Sequence, residues 1–168
     1  FLEIIENNQN KINKKNFYFE NNEDEYKETF RKIFTVLKLN KKDTKSACFS
    51  ITSTKECEGK SLNLSLLGIT LSEMGYKTLI VDLDFRKPII HKFFKLDNKK
   101  GFSNILSDAK INWESIIQEV SFNKELKCIS VGSNLKDPTK LLASERYNQI
   151  INNIKGINSL LSWYRLIK

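Results

Sequence analysis

Apolar residues recur along this chain at two spacings, and the alternation between them predicts its architecture. Phe30, Ile33, Phe34 and Leu37 fall three and four residues apart, which predicts an amphipathic helix over residues 25–38, closed by Asn40-Lys41-Lys42-Asp43. Residues 46–52 are instead a short apolar run suited to a buried strand, and a polar turn follows. Leu64, Leu67, Leu71 and Met74 then mark a helix over residues 62–74, which Gly75 closes. Residues 78–81 form a second buried run that ends in Asp82-Leu83-Asp84. Strand, loop, helix and strand in that order make one βαβ unit, which implies a parallel sheet with a right-handed crossover. Beyond Pro88, helices are expected over residues 89–94, 103–106 and 113–120. A strand is expected over 126–131, then the turn Gly132-Ser133-Asn134, and one helix over 139–154. Residues 1–24 are rich in Asn, Lys and Glu and read as a linker or arm of low order.

Composition narrows the function classes. With 168 residues, 40% hydrophobic and 29% charged, the chain suits one soluble globular domain over residues 25–168 with a single core. The formal charge of +8 favours anionic partners in general. Lysine and asparagine are scattered, however, and no stripe of Lys and Arg interleaves with aromatics, so nucleic acid is not expected as a partner. Cys48, Cys57 and Cys128 are widely spaced, which excludes a disulfide framework or zinc knuckle and fits a reducing cytosol. His91 is the only histidine, so a Ser-His-Asp triad could be built around nothing else. No apolar run approaches the ~20 residues needed to span a bilayer, and no signal peptide opens the chain. The start at Phe1 suggests a fragment or the tail of a longer protein. Phe102, Trp113 and Phe122 are assigned to the core rather than to substrate.

Two stretches carry chemistry. Residues 52–61, Thr-Ser-Thr-Lys-Glu-Cys-Glu-Gly-Lys-Ser, lie between a strand and a helix. Successive backbone N–H groups at such a turn can wrap a phosphate, helped by the positive helix N-terminus. The binding turn is taken as Lys55, Glu56, Cys57, Glu58, Gly59, Lys60, Ser61 and Leu62, with Lys60 on the outer phosphates and the Ser61 hydroxyl on Mg²⁺. Thr54 stands where the usual phosphate loop has glycine, and the plain alternative is a helix N-terminus with an exposed lysine. The second stretch is Asp82-Leu83-Asp84 at the end of the next strand. Ligands of open parallel sheets bind beyond the strands' carboxyl ends, so both carboxylates emerge on the edge of the phosphate turn. Together they can hold Mg²⁺ through water, and one can accept a proton from an attacking hydroxyl.

Gly59-Lys60-Ser61 after Thr52-Ser53, followed by Val81-Asp82-Leu83-Asp84-Phe85-Arg86-Lys87-Pro88, resembles the Walker A and Walker A′ motifs of the bacterial tyrosine kinases of capsule and exopolysaccharide export. Further similarity runs through Glu28-Thr29-Phe30-Arg31, His91-Lys92-Phe93-Phe94, Gly101-Phe102-Ser103-Asn104-Ile105-Leu106, Asp137-Pro138 and Leu141-Leu142-Ala143-Ser144. The resemblance implies an α/β fold, a P-loop NTPase-like parallel sheet flanked by helices. It also implies ATP and Mg²⁺ as cofactors, and tyrosine phosphorylation that regulates polysaccharide synthesis. By that resemblance Lys60 and Ser61 bind phosphates and metal, Asp82 partners the incoming tyrosine hydroxyl, and Asp84 supports the metal. The helix bearing Glu28 and Arg31 mediates self-association. A membrane activator or polysaccharide co-polymerase domain is the expected partner, at the inner face of the plasma membrane on the cytoplasmic side. Lys55 occupies the place of the signature lysine of Min and Par partition ATPases, which makes such an ATPase the runner-up.

The chain departs from the family pattern at several positions. Cys57 replaces a glycine, Phe34 stands where a second arginine is expected, and Lys140 replaces a glutamate. Residues 156–168 do not carry the expected Walker B strand ending Ile-Asp-Thr-Pro-Pro, nor a tyrosine cluster. The sheet is therefore expected to be incomplete at the C-terminus, with the strand edges beside the missing strand unpaired and the chain poorly soluble. Those departures open a third reading, a non-catalytic interaction module.

Overall fold

The computed structural model describes residues 23–39, 47–55, 58–133, 138–155 and 161–165. The arm expected over residues 1–24 lies outside the described residues as far as residue 22, and so do Glu56, Cys57 and Asp137. Its last two residues belong instead to the first helix, α1 (Glu23–Leu39). Strand β1 (Ala47–Ile51), helix α2 (Lys60–Glu73) and strand β2 (Thr78–Asp82) then form the expected βαβ unit. Short helices α3 (Ile90–Phe93) and α4 (Phe102–Ser107) and a 3-10 turn (Trp113–Ile116) follow. Strands β3 (Gln118–Val120) and β4 (Asn123–Ile129), helices α5 (Pro138–Leu142) and α6 (Glu145–Lys155), and strand β5 (Leu161–Arg165) complete the order.

The five strands lie in the order β1-β5-β2-β4-β3. All neighbours are parallel except β3, which runs antiparallel to β4. Both faces of the sheet are covered, which is why β2 is apolar without alternation and wholly buried. Ile80, Leu126 and Cys128 face the cluster built by α1 and α2, with Phe30, Phe34, Leu64, Leu67 and Leu71. Leu79, Val81 and Ile129 face the opposite cluster, with Phe102, Ile105, Ile150 and Ile154. Phe34, in the place of an expected arginine, is a core residue at 3% exposure. Burying such a ring stabilises the fold by roughly 1.5–3 kcal/mol, which gives a packing reason for the departure.

Helix α2 is buried from Leu64 to Ser72 without a break. The buried hydroxyls of Ser65 and Thr70 are satisfied within the helix, donating to carbonyls one turn back, of Ser61 and Leu66, at 2.8 and 2.9 Å. Gly68 brings the helix onto the sheet, since a Cβ there would sit 2.5 Å from Ile80 Cδ1.

Several expectations are corrected. Met74 caps α2 and is exposed rather than part of its apolar face. Residues 113–120 are not one helix: Asn112 accepts the N–H of Glu114 and closes a single 3-10 turn, and the chain then extends into β3. Phe122 lies in the turn between β3 and β4, half exposed against Phe94, and is not a core residue. The helix expected over 139–154 breaks at Ser144, whose Oγ accepts the N–H of Tyr147 and starts α6 anew. Most important, no unpaired edge separates β1 from β2, because β5 lies between them and pairs with both.

Candidate functional site

The turn expected to bind phosphate runs from the end of β1 into α2. Gly59 precedes the first residue of that helix at φ 77° and ψ 13°. This left-handed conformation is one glycine adopts without steric cost. Thr54 needs no such freedom, since Lys95 alone among the described non-glycine residues has a positive φ. The Lys60 ammonium folds back over the turn and donates to Ser53 Oγ at 2.6 Å and to the Lys55 carbonyl at 3.3 Å. Ser53 in turn donates to that same carbonyl at 2.7 Å. Glu58 Oε2 accepts the Lys55 N–H at 3.1 Å, and Oε1 accepts the Thr54 hydroxyl at 3.4 Å. The Lys55 N–H holds the Glu58 carboxyl below the usual carboxylate range. Ser61 is buried and Leu62 half-buried in the first turn of α2, where unbonded N–H groups make the helix end attractive to anions.

Asp82 and Asp84 end β2 at the same edge of the sheet, and both are buried. Asp82 Oδ1 accepts the Asp84 N–H at 3.0 Å, while Oδ2 accepts those of Ile89 and Ile90, each at 3.3 Å. Asp84 Oδ1 accepts the N–H groups of Arg86 and Lys87 at 3.2 and 2.9 Å. The two carboxylates therefore organise the loop that carries Phe85-Arg86-Lys87-Pro88. Strand β5 separates them from the phosphate turn, with Arg165 in register with both Ile51 and Asp82. Ile51 and Asp82 thus stand two strand spacings apart, about 10 Å.

The chemistry of this donor set decides what it can hold. A lysine, an αL glycine and a helix N-terminus fit a phosphate chain. No group of three or more His, Cys, Asp or Glu that could hold a metal ion is present among the described residues. The two buried carboxylates at the end of β2, with phosphate oxygens and water, are a donor set of the kind Mg²⁺ takes. Sequence reasoning missed the Ser53 side chain and, though it placed Glu58 in the binding turn, missed that the Glu58 carboxylate bonds the turn's own backbone. Their signal was position, two residues beyond β1 and one residue before Gly59.

The other expected residues are placed as follows. Glu28 pairs on the surface of α1 with Arg31 and Lys32, both at 3.7 Å. His91 Nδ1 is buried without a hydrogen-bond partner, and burial, helped by Lys92, pulls its pKa below the ordinary histidine value. Among the described residues no helix is long and apolar enough to cross a membrane.

A mostly parallel α/β sheet with a lysine-bearing turn entering a helix, and acidic residues ending the next strand, defines a P-loop nucleotide-binding fold. The chain is related to the bacterial tyrosine kinases of the capsule and exopolysaccharide type. It is 34% identical over 131 residues to tyrosine-protein kinase CpsD of Streptococcus agalactiae, covering 77% of this chain and 56% of CpsD. It is 32% identical over 118 residues to tyrosine-protein kinase YwqD of Bacillus subtilis, covering 70% and 49%. The crystal structure of the chimeric protein CapA2B2 matches with a TM-score of 0.72 and 25% identity over 84% of this chain and 62% of that one. The kinase domain of Escherichia coli tyrosine kinase ETK matches in fold with a TM-score of 0.74 and 24% identity, over 83% of this chain and 54% of that one. MinD of Pyrococcus horikoshii, solved with Mg-ADP, shares the fold at a TM-score of 0.59 and 20% identity, over 70% and 48%. No protein-family model matches the chain. The chain spans about half the length of the curated relatives it matches.

Proposed function

We propose that the chain binds Mg-ATP at the turn between β1 and α2, as the nucleotide-binding part of a protein-tyrosine kinase that regulates capsular or exopolysaccharide synthesis and export. One observation carries this reading: the Lys60 ammonium lies 2.6 Å from Ser53 Oγ, poised over a turn that opens onto a helix N-terminus. In this reading Lys60 neutralises the outer phosphates, the N–H groups from Gly59 to Leu62 orient them, and the Ser61 hydroxyl faces the metal. Bound Mg²⁺ would supply charge neutralisation between phosphate oxygens. Asp84 would support it through water, and Asp82, held rigid by three backbone N–H groups, would accept the proton of the incoming tyrosine hydroxyl. In-line phosphoryl transfer asks for this kind of positioning and charge balance more than for covalent chemistry. Self-association through the Glu28 and Arg31 face of α1, and a membrane activator domain at the inner face of the plasma membrane, complete the reading.

The test is calorimetric titration of the full chain with Mg-ATP, with Lys60→Met as control. Saturable binding that disappears in the control supports the reading; no binding by a folded sample sinks it. A second reading, a non-catalytic interaction module, is favoured by the strand between β1 and β2, which reads Leu-Ser-Trp-Tyr-Arg and carries no acid. Binding of nucleotide without phosphoryl transfer to any tyrosine substrate would favour that module.

A further inference from the structure

An anion is already bonded to the phosphate turn, and it belongs to the chain itself. The Glu58 carboxylate accepts a backbone N–H from Lys55 and a hydroxyl from Thr54, so both of its oxygens are engaged. We propose that Glu58 is an internal counter-anion of this turn, holding donors that an incoming phosphate would take and leaving when the phosphate enters. The proposal rests on the nucleotide-binding reading above and deepens it, naming the side chain that sets how strongly the site takes a polyphosphate.

Three observations support this. First, the carboxylate is the charged form at neutral pH, since the Lys55 N–H draws its pKa below the ordinary value. Second, Glu58 is exposed, so its side chain can rotate into water without disturbing any packed group. A structural brace would be expected to be buried or doubly tied to the core. Third, the acceptors of Lys60 are uncharged oxygens, Ser53 Oγ and the Lys55 carbonyl. The ammonium is thus left for an arriving anion, while the backbone donor of the turn is taken by Glu58. A ligand entering this turn must displace one carboxylate and then share the neighbourhood with its negative charge. Removing the charge weakens the bond to be displaced and abolishes the repulsion, and that repulsion grows with the charge of the ligand.

The experiment is titration of the full chain, Glu58→Gln and Glu58→Ala with ATP, ADP and AMP in the presence of Mg²⁺, with circular dichroism as a check on folding. Both variants should bind ATP about three- to tenfold more tightly than the parent chain at low ionic strength. The gain should shrink from ATP to AMP, and also in about 0.5 M salt, where screening removes the repulsion. A brace would not give that charge ordering. Equal or weaker ATP binding by the variants overturns the proposal and makes Glu58 a support of the turn. If the parent chain binds ATP, loses it in Lys60→Met and is unchanged in both Glu58 variants, the nucleotide site stands and the counter-anion fails. Binding by neither parent nor variants overturns both together.

Discussion

The buried carboxylate of Asp82 accepts the backbone N–H of Ile90 at 3.3 Å, tying the end of β2 to the first residue of α3. Its other bonds, to Asp84 and Ile89, make it the common acceptor of three backbone donors. Replacing Asp82 by Ala leaves those donors without an acceptor. An orphaned buried donor costs about 1–3 kcal/mol, so Asp82→Ala should lower unfolding stability by about 2–4 kcal/mol after partial relaxation. Asp82→Asn, which keeps one acceptor oxygen, should fall between the two. Urea unfolding midpoints decide this, and a loss below about 0.5 kcal/mol would show that the loop does not depend on this carboxylate.

The contact of Gly68 with Ile80 sets two effects against each other. Alanine in a helix interior is favoured over glycine by about 1 kcal/mol. A Cβ at 68, however, would lie 2.5 Å from Ile80 Cδ1 and 3.1 Å from Cγ1. Overpacking of this kind costs about 1–3 kcal/mol, so Gly68→Ala should be neutral to destabilising by about 2 kcal/mol. Adding Ile80→Val removes the Cδ1 atom and should recover part of that loss. Simple additivity of the two substitutions would show that the contact does not govern the site.

His91 gives a single titrating imidazole to follow, since the chain has no other histidine. Its folded pKa lies below its ordinary value because burial disfavours the charged ring. Below that ordinary value the unfolded chain binds the proton more readily, so this contribution to stability is full above about pH 6.5 and lost as pH falls towards the folded pKa. Thermal unfolding should therefore fall between about pH 7.5 and 5.5 more steeply in the parent chain than in His91→Gln. Identical slopes, or an imidazole resonance titrating above the ordinary value, would contradict the assignment.

Cysteine reactivity should divide by depth. Cys128 is buried and its thiol is pushed well above the usual range, chiefly by burial and further by Asp82, while Cys48 is half-buried. Under native conditions iodoacetamide should modify Cys48 slowly and leave Cys128 intact until denaturant is added. Modification of Cys128 at the rate of Cys48, read by mass spectrometry, would place that strand closer to solvent.

Strand β5 makes the sheet continuous, and a chain ending at Lys155 tests that role. Without β5 the facing edges of β1 and β2 lose their partners, and unpaired edges associate. The shortened chain should aggregate or unfold without a cooperative transition, while the full chain elutes as a discrete species. Equal solubility and equal unfolding cooperativity would mean that β5 contributes nothing to the sheet's integrity.

Local sequence alone determined the βαβ unit and the place of the turn that joins β1 to α2. Their signals are short-range: apolar spacing from Leu64 to Leu71, an unbroken apolar run into Asp82, and Gly59-Lys60-Ser61 at the junction. Motif resemblance extended this to the family. Tertiary structure decided the rest. Leu161–Arg165 does not carry the expected strand-ending motif, yet it sits inside the sheet, where its backbone pairs with the facing edges of both β1 and β2. The pattern over residues 113–120 could not separate a helix from a turn plus edge strand, because the antiparallel partner that settles it lies in β4. Spacing puts Phe34 on the apolar face of a helix, but only the packing of α1 on α2 shows what that face covers. Glu58 reads only as a member of the binding turn until the fold brings its carboxylate onto the Lys55 N–H. Spacing along a chain encodes local geometry, but which distant strand supplies a partner, and which charge meets which donor, is set only when the sheet closes.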